Sequence, residues 1–267
     1  MIRIYFIAIV AFLLASAIRA QDSVLTPLET GNDSRGWEAV GRLDIDGLGF
    51  CTGALITPDL VLTAAHCLYD QNTGKRIDTD RIEFRAGWRN GRAEAYRKVS
   101  RGIVHPDYVY DDSVAMNRVR HDLALLELLR PVRTTRIVPF GTDAAPRTGD
   151  RIGVVSYAKG RAEVPSLEEV CNVLGRDGGI LIMSCEVEFG ASGAPVFSFS
   201  DGKVRIVSIV SAKAESRKGK VALGSELGPA LDLLRAKMAT GGKRFLRADD
   251  GSDGARRSMT GAKFVKP

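Results

Sequence analysis

From about residue 37 to residue 225 the chain reads as short apolar runs separated by polar punctuation. Examples are AVGRLDI (39–45), ALITPDLVLT (54–63), RIEFRA (81–86), LALLELL (123–129), RIGVVSY (151–157), GILIMSC (179–185), APVFSFS (194–200) and VRIVSIVS (204–211). Gly, Pro, Asp and Asn stand between them, which is the pattern of an all-β sandwich or barrel. Long amphipathic helices do not alternate with these runs, which argues against a doubly wound α/β sheet. One helix is predicted late, at Pro229–Thr240. It has Pro in its first turn, apolar residues at Leu231, Leu234 and Met238, and Gly241 beyond its end. A bridge bearing Pro and Gly, RPVRTTRIVPFGTDAAPRTGD (130–150), divides the β region into halves of similar size. Two small barrels are therefore expected, the first over 36–135 and the second, with the helix, over 136–240.

Composition allows this. The 267 residues are 45% hydrophobic, enough for a sizeable core. The net charge of +6 suggests nucleic acid until its location is considered. Arg3 and Arg19 supply two of the six, and the last 27 residues supply four, with seven Lys/Arg against three Asp. The body is close to neutral, so no nucleic-acid partner is expected. The tail 241–267 is poor in apolar residues and is expected to be disordered.

The first 20 residues, MIRIYFIAIVAFLLASAIRA, have an early Arg3, an apolar run from Ile4 to Ala15, and small residues at Ala15, Ser16, Ala17 and Ala20. That layout predicts a secretory signal peptide cut after Ala17 or Ala20. The run is shorter than the ~20 apolar residues of a membrane span. No stable membrane insertion is expected after its removal, and the mature chain is placed outside the cell or in the periplasm. Residues 21–35 are left as a removable propeptide, cut near Arg35, or an N-terminal arm.

Export changes how Cys51, Cys67, Cys171 and Cys185 are read. An even set in an oxidising compartment predicts disulfides. Of the three possible pairings the sequential one is favoured, because each pair is close in sequence and sits in its own half. Each closed loop is worth about 3 kcal/mol on the chain-entropy model. No C-x-x-C occurs, so no metal is expected. Asp70, Asp78 and Asp80 read as loop surface rather than a calcium site.

Three local strings carry chemistry. His66 stands in LVLTAAHCL, where Ala64 and Ala65 leave room for an imidazole and Cys67 can fix the backbone. Asp122 stands in RHDLALLEL at the mouth of an apolar strand, where a half-buried carboxylate needs a donor. Ser192 stands in FGASGAPVF, a turn in which Gly190 and Gly193 permit unusual backbone conformations. A serine hydroxyl becomes nucleophilic when a base takes its proton. A histidine oriented by a carboxylate is such a base. Backbone N–H groups of Gly190 and Ser192 are candidates for an oxyanion hole. Ala194 stands where an α/β-hydrolase elbow needs its second Gly, which argues against that fold.

The order His66, Asp122, Ser192, with FCTGALITPDLVLTAAHCL, IVHPDY, HDLALLEL and FGASGAPVF around it, resembles the chymotrypsin/trypsin-like serine endopeptidases. The resemblance spans roughly 36–228. It implies two six-stranded antiparallel β-barrels with a short C-terminal helix and a cleft between them. It also implies His66 as general base, Asp122 as its orienter, Ser192 as nucleophile, and Ser211 as a hydrogen-bond donor to the aspartate. The strand Ser211, Ala212, Lys213 would pair with a peptide or protein substrate. No cofactor is implied, and a monomer is expected.

The chain also departs from the family's pattern. Animal digestive members carry Asp before the nucleophile to receive the new N-terminal amine after cleavage; this chain has Ala191, and no IVGG-like end precedes Trp37. GASGAPVF is closer to the bacterial trypsin-like and glutamyl endopeptidase branch. Glu186 occupies the specificity position of trypsin-like members and suggests a basic residue before the scissile bond, unless Lys213 pairs with it. Val210 stands where the glutamyl branch places a histidine, which disfavours acidic specificity. The rival readings are a non-catalytic homologue that binds a partner through its cleft, and a hydrolase of small esters.

Overall fold

A computed structural model describes residues 25–111, 116–216 and 219–242; the predicted signal peptide and the basic tail after 242 lie outside the described residues. After an N-terminal strand β1 (Leu25–Pro27), six strands build the first barrel. They are β2 (Val40–Ile45), β3 (Gly49–Thr57), β4 (Leu60–Thr63), β5 (Ile82–Ala86), β6 (Ala95–Val104) and β7 (Ala124–Leu128). They close in the order β2-β3-β4-β7-β6-β5, all antiparallel. A short helix α1 (Met116–His121) leads into β7.

The bridge holds a two-residue strand β8 (Gly141–Thr142), parallel to the second sheet. The second barrel follows with β9 (Arg151–Ala158), β10 (Arg161–Asp177), β11 (Ile180–Met183), β12 (Pro195–Ser198), β13 (Arg205–Ser216) and β14 (Gly219–Glu226). Pairing of β9 with the long β10 closes this ring as well. The expected double barrel is therefore present. Helix α2 (Gly228–Gly242) brackets the predicted 229–240, with Leu231, Leu234 and Met238 buried.

Alternation marks some of these strands, and short runs buried on nearly every residue, as in β3 and β9, mark others. In β5, IEFRA, Ile82, Phe84 and Ala86 are buried while Glu83 and Arg85 are partly exposed. The barrels meet at an aromatic contact. Trp37, just before β2, lies edge-on to Phe197 of β12 at 5.0 Å, and Phe140 of the bridge packs on both rings. Among the described residues no helix is long and apolar enough to cross a membrane.

Candidate active site

Strand β4 ends at Thr63, and the fully buried Ala64 and Ala65 lead into a 3-10 turn, Ala65–Leu68, that carries His66. Beside it Cys67 is bonded to Cys51 of β3, and Cys171 to Cys185, the sequential pairing. Asp122 lies between α1 and β7 and is almost wholly buried. Its Oδ1 accepts the His66 backbone N–H at 2.8 Å, and its Oδ2 accepts from His66 Nδ1 at 2.6 Å and from the Ser211 hydroxyl. Behind it the Ser225 hydroxyl lies 2.6 Å from the Val119 carbonyl and 3.2 Å from that of Asp122. Burial alone pushes the Asp122 carboxyl up. The charge of His66, with hydrogen bonds from His66 and Ser211, outweighs it and holds the group below the usual carboxylate range. An ionised carboxylate only accepts, so Nδ1 carries the ring proton, and a neutral ring then offers Nε2 as an acceptor.

The turn before β12 is built from its backbone. Five consecutive carbonyls are occupied: Glu188 by the Ala191 amide, Phe189 by that of Lys159, Gly190 by the Thr52 hydroxyl, Ala191 by the Ala194 amide, and Ser192 by that of Thr52. Among the described residues the Gly190 and Ser192 amides donate to none of these groups or to any other. Each follows a carbonyl already engaged, and in a trans peptide the N–H points away from it. Gly190 has φ +97° and Gly193 φ +76°, where side chains are strained. At Gly193 a Cβ would stand 2.1 Å from Thr63 Oγ1 and 2.4 Å from the Thr52 carbonyl. Both glycines are therefore obligatory in this turn.

His66 and Ser192 line one cleft of about 480 Å³, with Val187, Glu188, Phe189, Val210, Ser211, Ala212 and Lys213 along one wall. Arg118 of α1, 3.7 Å from Asp111, lies on the same cleft. Glu186 is not part of its lining; its backbone N–H is held by both carboxylate oxygens of the buried Glu168. Lys213 pairs instead with Glu188 at 2.8 Å and lies over the Phe189 ring. That hydrogen bond holds the Glu188 carboxyl below its usual range. Glu188, Glu168 and Thr52 have no local sequence signal, since each acts through a partner distant in the chain.

Three groups of metal-ligand type occur among the described residues. Two contain cysteines already joined in disulfides. The third is His105, Asp107 and His121, whose imidazoles are stacked at 4.7 Å and 20°, so their in-plane lone pairs run side by side rather than to one point.

A Glu endopeptidase solved in complex with MPD superposes with a TM-score of 0.67 over 82% of this chain and 98% of its own, at 17% identity, a likeness of fold. Kallikrein-10 of Homo sapiens is 33% identical over 122 residues, 44% of this chain and 42% of that protein. Trypsin of Phaedon cochleariae is 37% identical over 84 residues, 31% of this chain and 29% of its own length. The matched stretches thus span less than half of those relatives. The family described as trypsin-like peptidase domain matches residues 51–205, more than half the chain and including His66, Asp122 and Ser192. On that match, with the double barrel beneath it, the chain is a member of the trypsin-like peptidase family.

Proposed function

We propose that the protein is an exported serine endopeptidase that cleaves peptide bonds through an acyl-enzyme. The observation that carries this reading is the 2.6 Å bond between His66 Nδ1 and a buried, ionised Asp122, with Ser192 on the same cleft. Ser192 Oγ attacks the scissile carbonyl as His66 Nε2 takes its proton. Negative charge develops on the carbonyl oxygen, and the two undonated amides of Gly190 and Ser192 receive it. His66 then protonates the leaving amine, and water, activated by the same ring, releases the acyl group and restores Ser192. Asp122 keeps the ring in the required tautomer and stabilises the imidazolium. The Ser211–Lys213 edge supports an extended peptide rather than a compact ester. The two disulfides support an oxidising compartment.

The basic preference expected from Glu186 has little support from the cleft. The cleft is lined by two carboxylates, Asp111, which lies by Arg118, and Glu188, which Lys213 neutralises. With Val187, Val210 and Ala212 beside the latter pair, an uncharged residue before the scissile bond fits best. The test of the function is labelling of the purified chain with a fluorophosphonate probe beside Ser192→Ala. Labelling that disappears in the variant is expected. A folded wild-type chain that does not label would instead favour the non-catalytic binding homologue.

A further inference from the structure

The nucleophile turn keeps its shape without the acid that, in the resembling digestive enzymes, precedes the nucleophile. Its place is taken by Ala191, which is fully buried and uncharged. Two of the five carbonyl anchors come from one residue of the other barrel, Thr52 of β3. Thr52 is fully buried, and each of its polar groups is engaged. Its N–H donates to the Ser192 carbonyl at 2.9 Å, and its carbonyl accepts the Thr63 hydroxyl at 2.8 Å. Its hydroxyl accepts the Tyr157 amide of β9 at 3.1 Å. The single hydroxyl proton has two carbonyls in reach, Gly190 at 2.9 Å and Tyr157 at 3.5 Å, and the shorter bond is to Gly190.

Gly190 is thus held from both sides, by the Lys159 amide on the preceding carbonyl and by the Thr52 hydroxyl on its own. Turning either peptide would break one of these bonds and leave a carbonyl without its donor. The ring of Phe50 and the backbone of Ala158 close the space behind Gly190, at 2.4 Å and 3.1 Å from the position of a Cβ. The same threonine is bonded to Thr63, three residues before His66. One residue, through its backbone and its hydroxyl, therefore ties the histidine segment, the second barrel and the nucleophile turn together.

We infer that Thr52 is a positioning residue that holds the Gly190 amide toward the reacting carbonyl oxygen, in place of a charge-triggered activation switch. It touches no substrate and acts through the Gly190 peptide. The inference rests on the peptidase reading, so its test separates the two. Phosphonylation of Ser192 by a fluorophosphonate places an oxygen where the carbonyl oxygen would develop charge, so its saturating rate reports on the turn. Wild-type labelling and its loss in Ser192→Ala test the peptidase reading. Thr52→Val keeps shape and removes the hydroxyl, Thr52→Ala removes it with less crowding, and Thr52→Ser restores it.

The expected result is a fall of about tenfold or more in the saturating rate for Val and Ala. The half-saturating probe concentration should be unchanged, and Ser should lie within about threefold of wild type. Intact Cys51–Cys67, assayed by mass, shows that the neighbouring segment has formed. If Val does not fold, Ala carries the test. A folded Val or Ala variant labelling at the wild-type rate overturns the inference. So does a Ser variant as slow as Ala, since packing of the methyl rather than the hydroxyl would then be responsible.

Discussion

The two barrels hold their parts of the cleft by different means. The first grips side chains: His66 and Asp122 hold each other, and from the second barrel the Ser211 hydroxyl donates to the carboxylate while that of Ser225 holds the Asp122 backbone carbonyl. The second barrel's nucleophile turn has almost no side chains to grip. Gly190, Ala191, Gly193 and Ala194 surround Ser192, and its shape is written in backbone hydrogen bonds. A network of side chains can be altered isosterically with its frame intact. A bonded backbone turn in contact with its surroundings tolerates no added atom.

The largest effect should come from adding that atom. Gly193→Ala puts a Cβ into Thr63 and the Thr52 carbonyl at positive φ, so a loss of about 4 kcal/mol or more in urea denaturation is expected. A variant of wild-type stability would mean that the turn is softer than its contacts imply. Next comes Asp122→Asn, which preserves shape but no longer enforces the Nδ1 proton. Turnover should fall by about 10⁴-fold. Its thermal midpoint at neutral pH should move far less than that of Gly193→Ala, and equal destabilisation of the two would erase the contrast.

Acid should separate the regions too. The folded Asp122 carboxyl sits below its unfolded value, so its contribution is present above the unfolded pKa of about 3.9 and is lost as pH falls through the folded one. Melting curves between pH 6 and 2 should fall less steeply for Asp122→Asn than for wild type; parallel curves would remove the carboxylate from the account. The smallest effect is expected at Lys213→Ala. Freeing the exposed Glu188 should raise turnover of substrates with Arg or Lys before the scissile bond by about two- to fivefold, with little effect on neutral ones. A fall for basic substrates would count against Glu188 as the charge that reads them.

This contrast also governs what could be read from the chain beforehand. His66, Asp122 and Ser192 stand in local strings whose small neighbours and adjoining apolar runs mark them; β2 and β5 alternate visibly, and β3, β4 and β7 show as short apolar runs. Strand β6, AYRKVSRGIV, escapes because charged residues interrupt its buried positions. Strand β10 escapes because it contains Pro165 and a mixture of Glu and apolar residues over 17 positions, bending between neighbours. Helix α1 is six residues with three basic side chains and gives no periodic signal. The run ALITPDLVLT reads as one segment but folds as the end of β3 and all of β4, turned at Pro58 and Asp59. The roles of Thr52 and Glu188 depend on partners brought close by barrel closure, and no pattern of spacing reveals such pairs.

The ends of the described chain have exchanged sides. Strand β1 precedes the first barrel but pairs with β10 of the second, with the Leu28 amide on the Pro165 carbonyl. Helix α2 follows the second barrel but buries Leu231, Leu234 and Met238 in the cluster of the first, and Arg101 of β6 donates to the Met238 carbonyl at 2.6 Å. Each half is thus finished by a segment made at the other end of synthesis. The first barrel emerges from the ribosome without its helical cover, and β1 waits for a partner roughly half the chain away. Such distant closures slow the search for the native state and favour late, joint completion of both halves. Severing the bridge would therefore yield two incomplete fragments rather than two domains.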